Sequence, residues 1–293
     1  MELGFLFAII TAASFALSQV LVRRATYLAD ESFTPLAVSL LVGTPIFVVL
    51  VSIAGEWRAF VSFTGEQYAL LTAAGLIHLI IARYLFFNST RIIGANPTAA
   101  ITRTSIIFSV IFGIAFLGES VTALQVVAAL MIMTGAILTT TEISRSTFRI
   151  STRGLLMGFG VALCSAASAT LIRPVMAVTD AVYAATFVMY LVAFVVIAVM
   201  LATSRRQRGL VRGQGRAAFL ILAVSSVFLV VGHLFRFSAL QYSPVSIVQP
   251  LVGTLVVFVL LFSWIINRRI DFFNWRVITG IALVLAGVIL IYR

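Results

Sequence analysis

The chain has 293 residues, of which 62% are hydrophobic and only 10% are charged, and its formal net charge is +11. Soluble globular domains carry about 25% charged residues, so this composition excludes an ordinary soluble protein. In a soluble protein such a basic charge would suggest nucleic acid as the partner. In so apolar a chain we expect the lipid bilayer as the partner and no nucleic acid.

Ten runs of about 20 mainly apolar residues follow one another along the chain, each long enough to cross the hydrocarbon core as an α-helix. They are predicted at residues 3–22, 35–54, 67–91, 96–117, 121–140, 154–173, 180–202, 216–240, 244–265 and 273–292. A membrane β-barrel needs strands of alternating polarity, whereas these runs are apolar on every face. We therefore predict an all-α polytopic membrane protein with ten transmembrane helices, numbered first to tenth in chain order.

The arginines are distributed unevenly between the two sides of this predicted bundle. All twenty basic residues are arginines, and the loops after the odd-numbered helices hold fourteen of them. The opposite side, termini included, holds only Arg58, Arg173 and Arg293. Because cytoplasmic loops of membrane proteins carry an excess of positive charge, we predict a cell (inner) membrane protein with both termini outside.

The second half of the chain repeats the first. Residues 4–23 align without gaps with residues 154–173 and share seven identities in twenty positions. At a similar offset, LFFNS at 85–89 corresponds to LFRFS at 234–238. These matches predict an internal duplication of about 150 residues.

Each repeat is predicted to contain five helices, the first at residues 1–143 and the second at residues 144–293. Because five is an odd number, the second repeat enters the membrane from the other side and the repeats are inverted. Inverted repeats are typical of secondary transporters, which use them to build two nearly equivalent conformations around a site near the bilayer midplane.

A short series of motifs resembles a known family over the whole chain. Proline-containing segments open the fourth and ninth helices (GANPTAAI at 94–101 and YSPVSIVQP at 242–250), and GES at 118–120 precedes a helix with a late glycine, Gly135. In this order the motifs resemble the drug/metabolite transporter superfamily, EamA-type branch. The resemblance implies transport of small metabolites without ATP hydrolysis. It also implies cytoplasmic termini, opposite to the arginine count, and the second repeat departs from the Gly-Glu pattern, with Asp271 in place of the glutamate.

Three arginines lie inside predicted helices: Arg83 near the centre of the third, Arg103 two turns inside the fourth, and Arg236 one turn from the end of the eighth. A charge at the bilayer centre costs from about 3 kcal/mol to well above that, so such residues mark functional sites by default. Every acidic residue lies in a loop or at a helix end, so no carboxylate is expected to pair with these arginines. We therefore predict a cationic site for an anionic or zwitterionic solute, since the planar guanidinium binds carboxylate or phosphate bidentately.

Neighbouring polar and aromatic residues complete the predicted site. Helical spacing places Phe87 on the same face as Arg83 and places His233 beside Arg236, while polar stripes run along the fourth and ninth helices. The hydroxyl groups of these stripes fit helix packing as well as a cavity lining. The predicted substrate-binding residues are Arg83, Arg103, His233, Arg236, Tyr84, Phe87, Thr102 and Gln249. Proton coupling would use His78 or His233, because histidine titrates in the suitable range.

The leading hypothesis is a secondary transporter that moves an anionic or zwitterionic small metabolite by alternating access. One alternative is an exporter of neutral or aromatic amino acids, in which the arginines orient only the carboxylate. Another is a lipid-phosphate flippase, in which they escort a headgroup. A membrane enzyme is disfavoured because two histidines and one cysteine form no recognisable catalytic or metal-binding motif, so we expect no catalytic residue, metal or cofactor.

The arginine count generates a topology prediction. A phosphatase that is active only outside the cytoplasm, fused after Arg293, should be active in intact cells. Activity of a cytoplasm-dependent reporter at the same position would reverse the predicted orientation and leave the predicted helices unchanged.

Overall fold

Helices account for all the regular secondary structure in the computed structural model, which describes residues 2–26, 33–93, 95–142, 151–266 and 275–292. The membrane helices are α1 (Glu2–Thr26), α2 (Phe33–Ala54), α3 (Gly65–Ile93), α4 (Ala95–Thr102 and Ser105–Leu117), α5 (Ala123–Glu142), α6 (Thr152–Val178), α7 (Val182–Thr203), α8 (Arg216–Tyr242), α9 (Val245–Gly253 and Leu255–Ile266) and α10 (Trp275–Tyr292). Short helices at Glu56–Arg58, Ala59–Ser62 and Arg205–Arg212 connect them.

These helices correspond one to one with the ten predicted runs. Eight are long and apolar enough to cross a membrane, and the apolar parts of α5 and α10 are shorter, at Ala123–Thr139 and Trp275–Ile291. The predicted fold class, an all-α membrane protein of two five-helix repeats, is confirmed. The predicted boundary between the repeats lies at residues 143 and 144, outside the described residues.

Helix neighbours follow the two-fold relation expected of the repeats. Helix α1 packs against α8 and α9, and its counterpart α6 packs against α3 and α4. The pairs α2 with α7 and α5 with α10 each join a helix to its own counterpart, and α2 and α7 also pack against α8 and α3, respectively. The equivalent serines Ser18 and Ser168 make equivalent contacts, since Ser18 Oγ lies 2.9 Å from Ser225 Oγ on α8 and Ser168 Oγ donates to the Ala74 carbonyl on α3.

Helices α4 and α9 are interrupted at the same place in each repeat. Thr104 donates its hydroxyl to the Ile101 carbonyl at 2.7 Å, and Thr254 donates its hydroxyl to the Leu251 carbonyl at 2.7 Å. The backbone N–H groups of the two threonines donate to the same carbonyls, at 3.0 and 3.1 Å. Each threonine therefore closes a tight turn with its third preceding residue, which interrupts the α-helical hydrogen bonding at that point.

Two carboxylates of the first repeat cap helices of the second. Glu119 of the GES motif accepts hydrogen bonds from the Val245 and Ser246 backbone N–H groups at 2.8 and 3.0 Å, at the start of α9. Glu56 accepts from the Ala184 N–H at 2.8 Å, near the start of α7. Partial burial raises the pKa of the Glu56 carboxyl, and the backbone hydrogen bonds oppose this effect. The first N–H groups of a helix lack partners within the helix and favour negative charge, so both contacts hold the repeats together on the arginine-poor side.

The cap at α9 generates a stability prediction. Glu119→Ala leaves the Val245 and Ser246 N–H groups without their acceptor, which should cost about 1–3 kcal/mol and lower the apparent melting temperature in detergent. The matched control is Glu66→Ala, because Glu66 is exposed in the first turn of α3. Equal melting temperatures for the two variants would show that the Glu119 cap contributes nothing to stability.

Candidate functional site

Helix α3 changes its winding at the point where it meets the second repeat. Residues Leu76–Ala82 form a π-helix, between the α-helical parts Gly65–Gly75 and Arg83–Ile93. Gly75 permits close contact with α7, since a Cβ atom there would lie 2.9 Å from the Met189 carbonyl oxygen. Single π-helical turns are frequent at functional sites. This one carries His78 and ends immediately before Arg83.

Four side chains from three helices form a hydrogen-bonded chain in the core of the bundle. The Tyr190 hydroxyl on α7 lies 2.6 Å from His233 Nδ1 on α8, and His233 Nε2 lies 3.4 Å from His78 Nε2 on α3. A terminal guanidinium nitrogen of Arg236 lies 3.2 Å from the same nitrogen of His78. Arg236 is 2% exposed, and Tyr190 and His233 are each 1% exposed. These four residues and Arg83 are called the central polar cluster.

The hydrogen-bond donors among these four side chains determine which histidine nitrogens carry protons. Arg236 can only donate, so His78 accepts at Nε2 and carries its proton on Nδ1. His233 Nε2 faces the same acceptor and must donate, which leaves His233 Nδ1 to accept from the Tyr190 hydroxyl. We assign the tautomers on this basis. Tyr190 then donates to His233, and His233 donates to His78.

Arg83 adds a second guanidinium to the cluster. One of its terminal nitrogens donates to Ser39 Oγ on α2 at 2.7 Å, and the Ser39 hydroxyl donates in turn to the Leu36 carbonyl at 2.8 Å. Arg83 interacts electrostatically with Tyr190 and with both histidines. Two fixed positive charges therefore act on the same pair of imidazoles.

The positive charge of the cluster is not balanced by the protein residues that the structure describes. Within those residues, Arg83 and Arg236 form no ion pair, and the hydrogen bonds that they donate go to Ser39, His78 and the Ser165 carbonyl. Arg236 Nε and His78 Nδ1 are buried and have no hydrogen-bond partner in the same described part of the chain. With the tautomers assigned above, both of these unpaired groups are N–H donors.

Aromatic rings surround the cluster and keep it in an apolar environment. Phe15 of α1 lies edge-on to His233 at 5.0 Å, Phe237 stacks on the same imidazole at 6.1 Å, and Phe47 of α2 lies 4.7 Å from the Tyr190 ring. Charge interactions are stronger in such surroundings than in water.

The structure brings three of the predicted site residues together and places the other five elsewhere. Arg83, His233 and Arg236 belong to the central polar cluster. Tyr84 is 62% exposed, Phe87 packs against the main hydrophobic core, and Gln249 is buried in α9. The Thr102 hydroxyl donates to the Ala99 carbonyl at 2.8 Å.

Arg103, the fifth of these residues, lies at the interruption of α4. Its Nε atom is buried without a partner among the described residues, and in that part of the chain it forms no hydrogen bond with the cluster.

Sequence reasoning missed Tyr190, Ser39 and Phe15. Tyr190 had a signal, since it is one of two tyrosines in the predicted apolar run of 180–202 and the one nearer its middle. Ser39 and Phe15 had none, because their role depends on which helices meet. His78 was considered only for proton coupling, although its π-helical turn brings it between Arg236 and His233.

Comparison with known proteins identifies the family. The model of the EamA-like transporter family matches residues 2–141 and again residues 152–293. The chain belongs to the EamA-like transporter family. It is therefore a multi-pass membrane protein that transports small molecules, and the resemblance inferred from the sequence motifs is confirmed.

A solved structure has the same fold as this EamA-like transporter. That structure, titled "Crystal structure of protein", superposes with a TM-score of 0.80 over 98% of this chain and 94% of its own. The two sequences are 12% identical, so the similarity concerns the fold alone. No curated protein sequence matches the chain.

Proposed function

We propose that this EamA-like transporter is a secondary transporter of anionic or zwitterionic small metabolites, which bind at the central polar cluster. One observation carries the proposal: the buried guanidinium of Arg236, the half-buried one of Arg83 and the unpaired N–H donors Arg236 Nε and His78 Nδ1 lie in one cluster, with no acidic partner among the described residues. The site offers donors and positive charge, and a solute that supplies acceptors and negative charge would satisfy both.

The energetic argument follows from the cost of burying charge. A buried ion costs several kcal/mol unless a counter-charge and hydrogen bonds compensate it. The Ser39 hydroxyl and the Ser165 carbonyl give Arg83 and Arg236 neutral partners, which compensate only part of that cost. A carboxylate or phosphate oxygen accepts several hydrogen bonds at once and pairs well with guanidinium. Binding of such an anion would therefore remove an existing penalty in the protein.

The position of the cluster supports alternating access. Ser39, His78 and Arg83 belong to the first repeat, whereas Tyr190, His233 and Arg236 belong to the second. Rocking of inverted repeats about a site at their interface opens that site to each side of the membrane in turn. The interrupted helices α4 and α9 are the kind of element that transporters use near such sites.

The two alternatives make different demands on the same cluster. An exporter of neutral or aromatic amino acids would bind the carboxylate at Arg83 and the ring among the surrounding phenylalanines. A lipid-phosphate flippase would need a groove open to the bilayer for the acyl chains. The burial of Arg236 favours a small solute over a lipid.

Ligand stabilisation tests the proposed substrate class. Succinate and inorganic phosphate are the anionic probes, phenylalanine tests the amino-acid alternative, and choline is the cationic control. A ligand at 100 times its Kd stabilises the folded protein by about 2.7 kcal/mol, so an anionic probe should raise the apparent melting temperature and radiolabelled anion should enter proteoliposomes. A response to phenylalanine alone would favour the amino-acid alternative, and a response to choline alone would overturn the proposal.

Substitution of Arg83 tests whether anion binding needs only a positive charge at this position or the planar shape of the guanidinium. Arg83→Lys keeps the positive charge but loses the planar fork, so it should weaken binding of the stabilising anion by about tenfold or more. Arg91→Lys is the matched control, because Arg91 is exposed on the same helix. Unchanged binding in both variants would show that Arg83 has a structural role only.

A further inference from the structure

We infer that the paired imidazoles of His78 and His233 take up one proton when the anion binds, so that the transporter carries a proton together with its substrate. This inference rests on the proposed function and adds a coupling ion to it. It is based on the direction of the hydrogen bonds, the two unpaired donors and the fixed charges around the histidines.

Without an anion, the geometry disfavours a proton on His78 Nε2. That nitrogen accepts from Arg236 and from His233, so a proton placed there would face two donors, one of them cationic. Arg83 and Arg236 already contribute two positive charges. Both imidazoles are therefore neutral in the empty site.

No other group facing the histidines reverses this balance. The groups are Arg83 on α3, Arg236 on α8, the Tyr190 hydroxyl on α7 and the Phe15 ring on α1. Behind them, the Ser39 hydroxyl on α2 and the Ser165 carbonyl on α6 accept from the two arginines. In the described segments of the chain none of these groups is acidic. The charge that permits protonation must then come from the substrate.

An anion changes the hydrogen bonding at both unpaired donors. An oxyanion that accepts from His78 Nδ1–H and Arg236 Nε–H draws the guanidinium away from His78 Nε2, so that this lone pair faces only the His233 N–H. The negative charge of the anion also compensates a third positive charge in the cluster. The imidazole of His78 then becomes a proton acceptor at the moment the substrate is bound.

The hydrogen-bonded chain supplies a route for this proton. The proton on His233 Nε2 moves to His78 Nε2, the Tyr190 hydroxyl proton moves to His233 Nδ1, and a proton from water on the open side restores the Tyr190 hydroxyl. The net change is one proton from solution, held as a doubly protonated His78. By linkage, the anion raises the proton affinity of the pair by the same factor by which the proton raises anion affinity. Anion affinity should therefore increase as the pH falls, by up to about tenfold per pH unit for one coupled proton.

Nitrogen NMR of the histidines tests each part of the inference. The chain contains only two histidines, so protein labelled with nitrogen-15 in its imidazole rings gives four ring signals. In the empty protein we expect His78 protonated at Nδ1 and His233 protonated at Nε2. With saturating inorganic phosphate, or separately succinate, one ring should become doubly protonated.

Two variants distinguish a role in proton uptake from a purely structural role of the same residues. His78→Gln retains an N–H donor but cannot titrate, so its anion affinity, whatever the value, should lose the pH dependence of the wild-type protein. Tyr190→Phe removes the hydroxyl through which the proton enters the relay, so the doubly protonated ring should form more slowly or not at all on anion binding, whereas Tyr68→Phe, whose hydroxyl bonds the Phe60 carbonyl away from the cluster, should behave as the wild-type protein.

The outcomes separate the two proposals. Anion binding with both rings neutral and with pH-independent affinity would overturn proton coupling and leave the anion site standing. Reversed tautomers in the empty protein would also overturn the coupling route. If neither anion nor phenylalanine binds at any pH, both proposals fail.

Discussion

The constraint on which this structure depends is the burial of the Arg236 guanidinium beside the half-buried Arg83, with no carboxylate paired to either in the described part of the chain. Neutral acceptors satisfy some of the N–H groups of Arg83 and Arg236 but not their charge. The rest of the bundle holds these groups in position. The π-helical turn places His78 next to Arg236, Gly75 brings α3 against α7, and the aromatic rings around His233 exclude solvent. The uncompensated charge of such a site is unfavourable in the empty protein, and binding of an anion would compensate it.

Two carboxylate caps at one end of the bundle restrict the motion of the repeats relative to each other. On the arginine-poor side, Glu119 and Glu56 of the first repeat hold the starts of α9 and α7 in the second. These are bonds between repeats, so an opening on that side has to break or stretch them. The N–H groups of Ala184, Val245 and Ser246 belong to buried residues, so each one left without its acceptor costs about 1–3 kcal/mol. The caps therefore stabilise the arrangement of the two repeats seen in this structure.

The fold was predictable from sequence to a much greater extent than the site. Ten apolar runs and an internal duplication are properties of composition and spacing, and the helices at Val182–Thr203 and Arg216–Tyr242 begin and end within two residues of the predicted runs. Arg83 and Arg236 were found because a charged residue in an apolar run is rare. Their partners were not found, because the contact of Ser39 with Arg83 and of Tyr190 with His233 depends on helix packing and on one π-helical turn. The role of Glu119 was missed for the same reason, since its partners are backbone groups 126 and 127 residues away.

The repeats share a scaffold but bring different residues to the central polar cluster. Gly4 packs against Ala239 and Ser243, while Gly154 packs against Ile93 and accepts a hydrogen bond from Ser89, so the first helix of each repeat meets its neighbour in a similar way. The alignment of LFFNS with LFRFS sets Arg83 against Gly232 and Tyr84 against His233, so an arginine of one repeat and a histidine of the other occupy neighbouring positions of the symmetric frame. Arginines alone would give the proposed site a constant charge, which binds an anion and has no means of sensing a proton. An imidazole beside them makes part of the charge conditional, and only a conditional charge would be able to tie the binding of a proton to that of an anion.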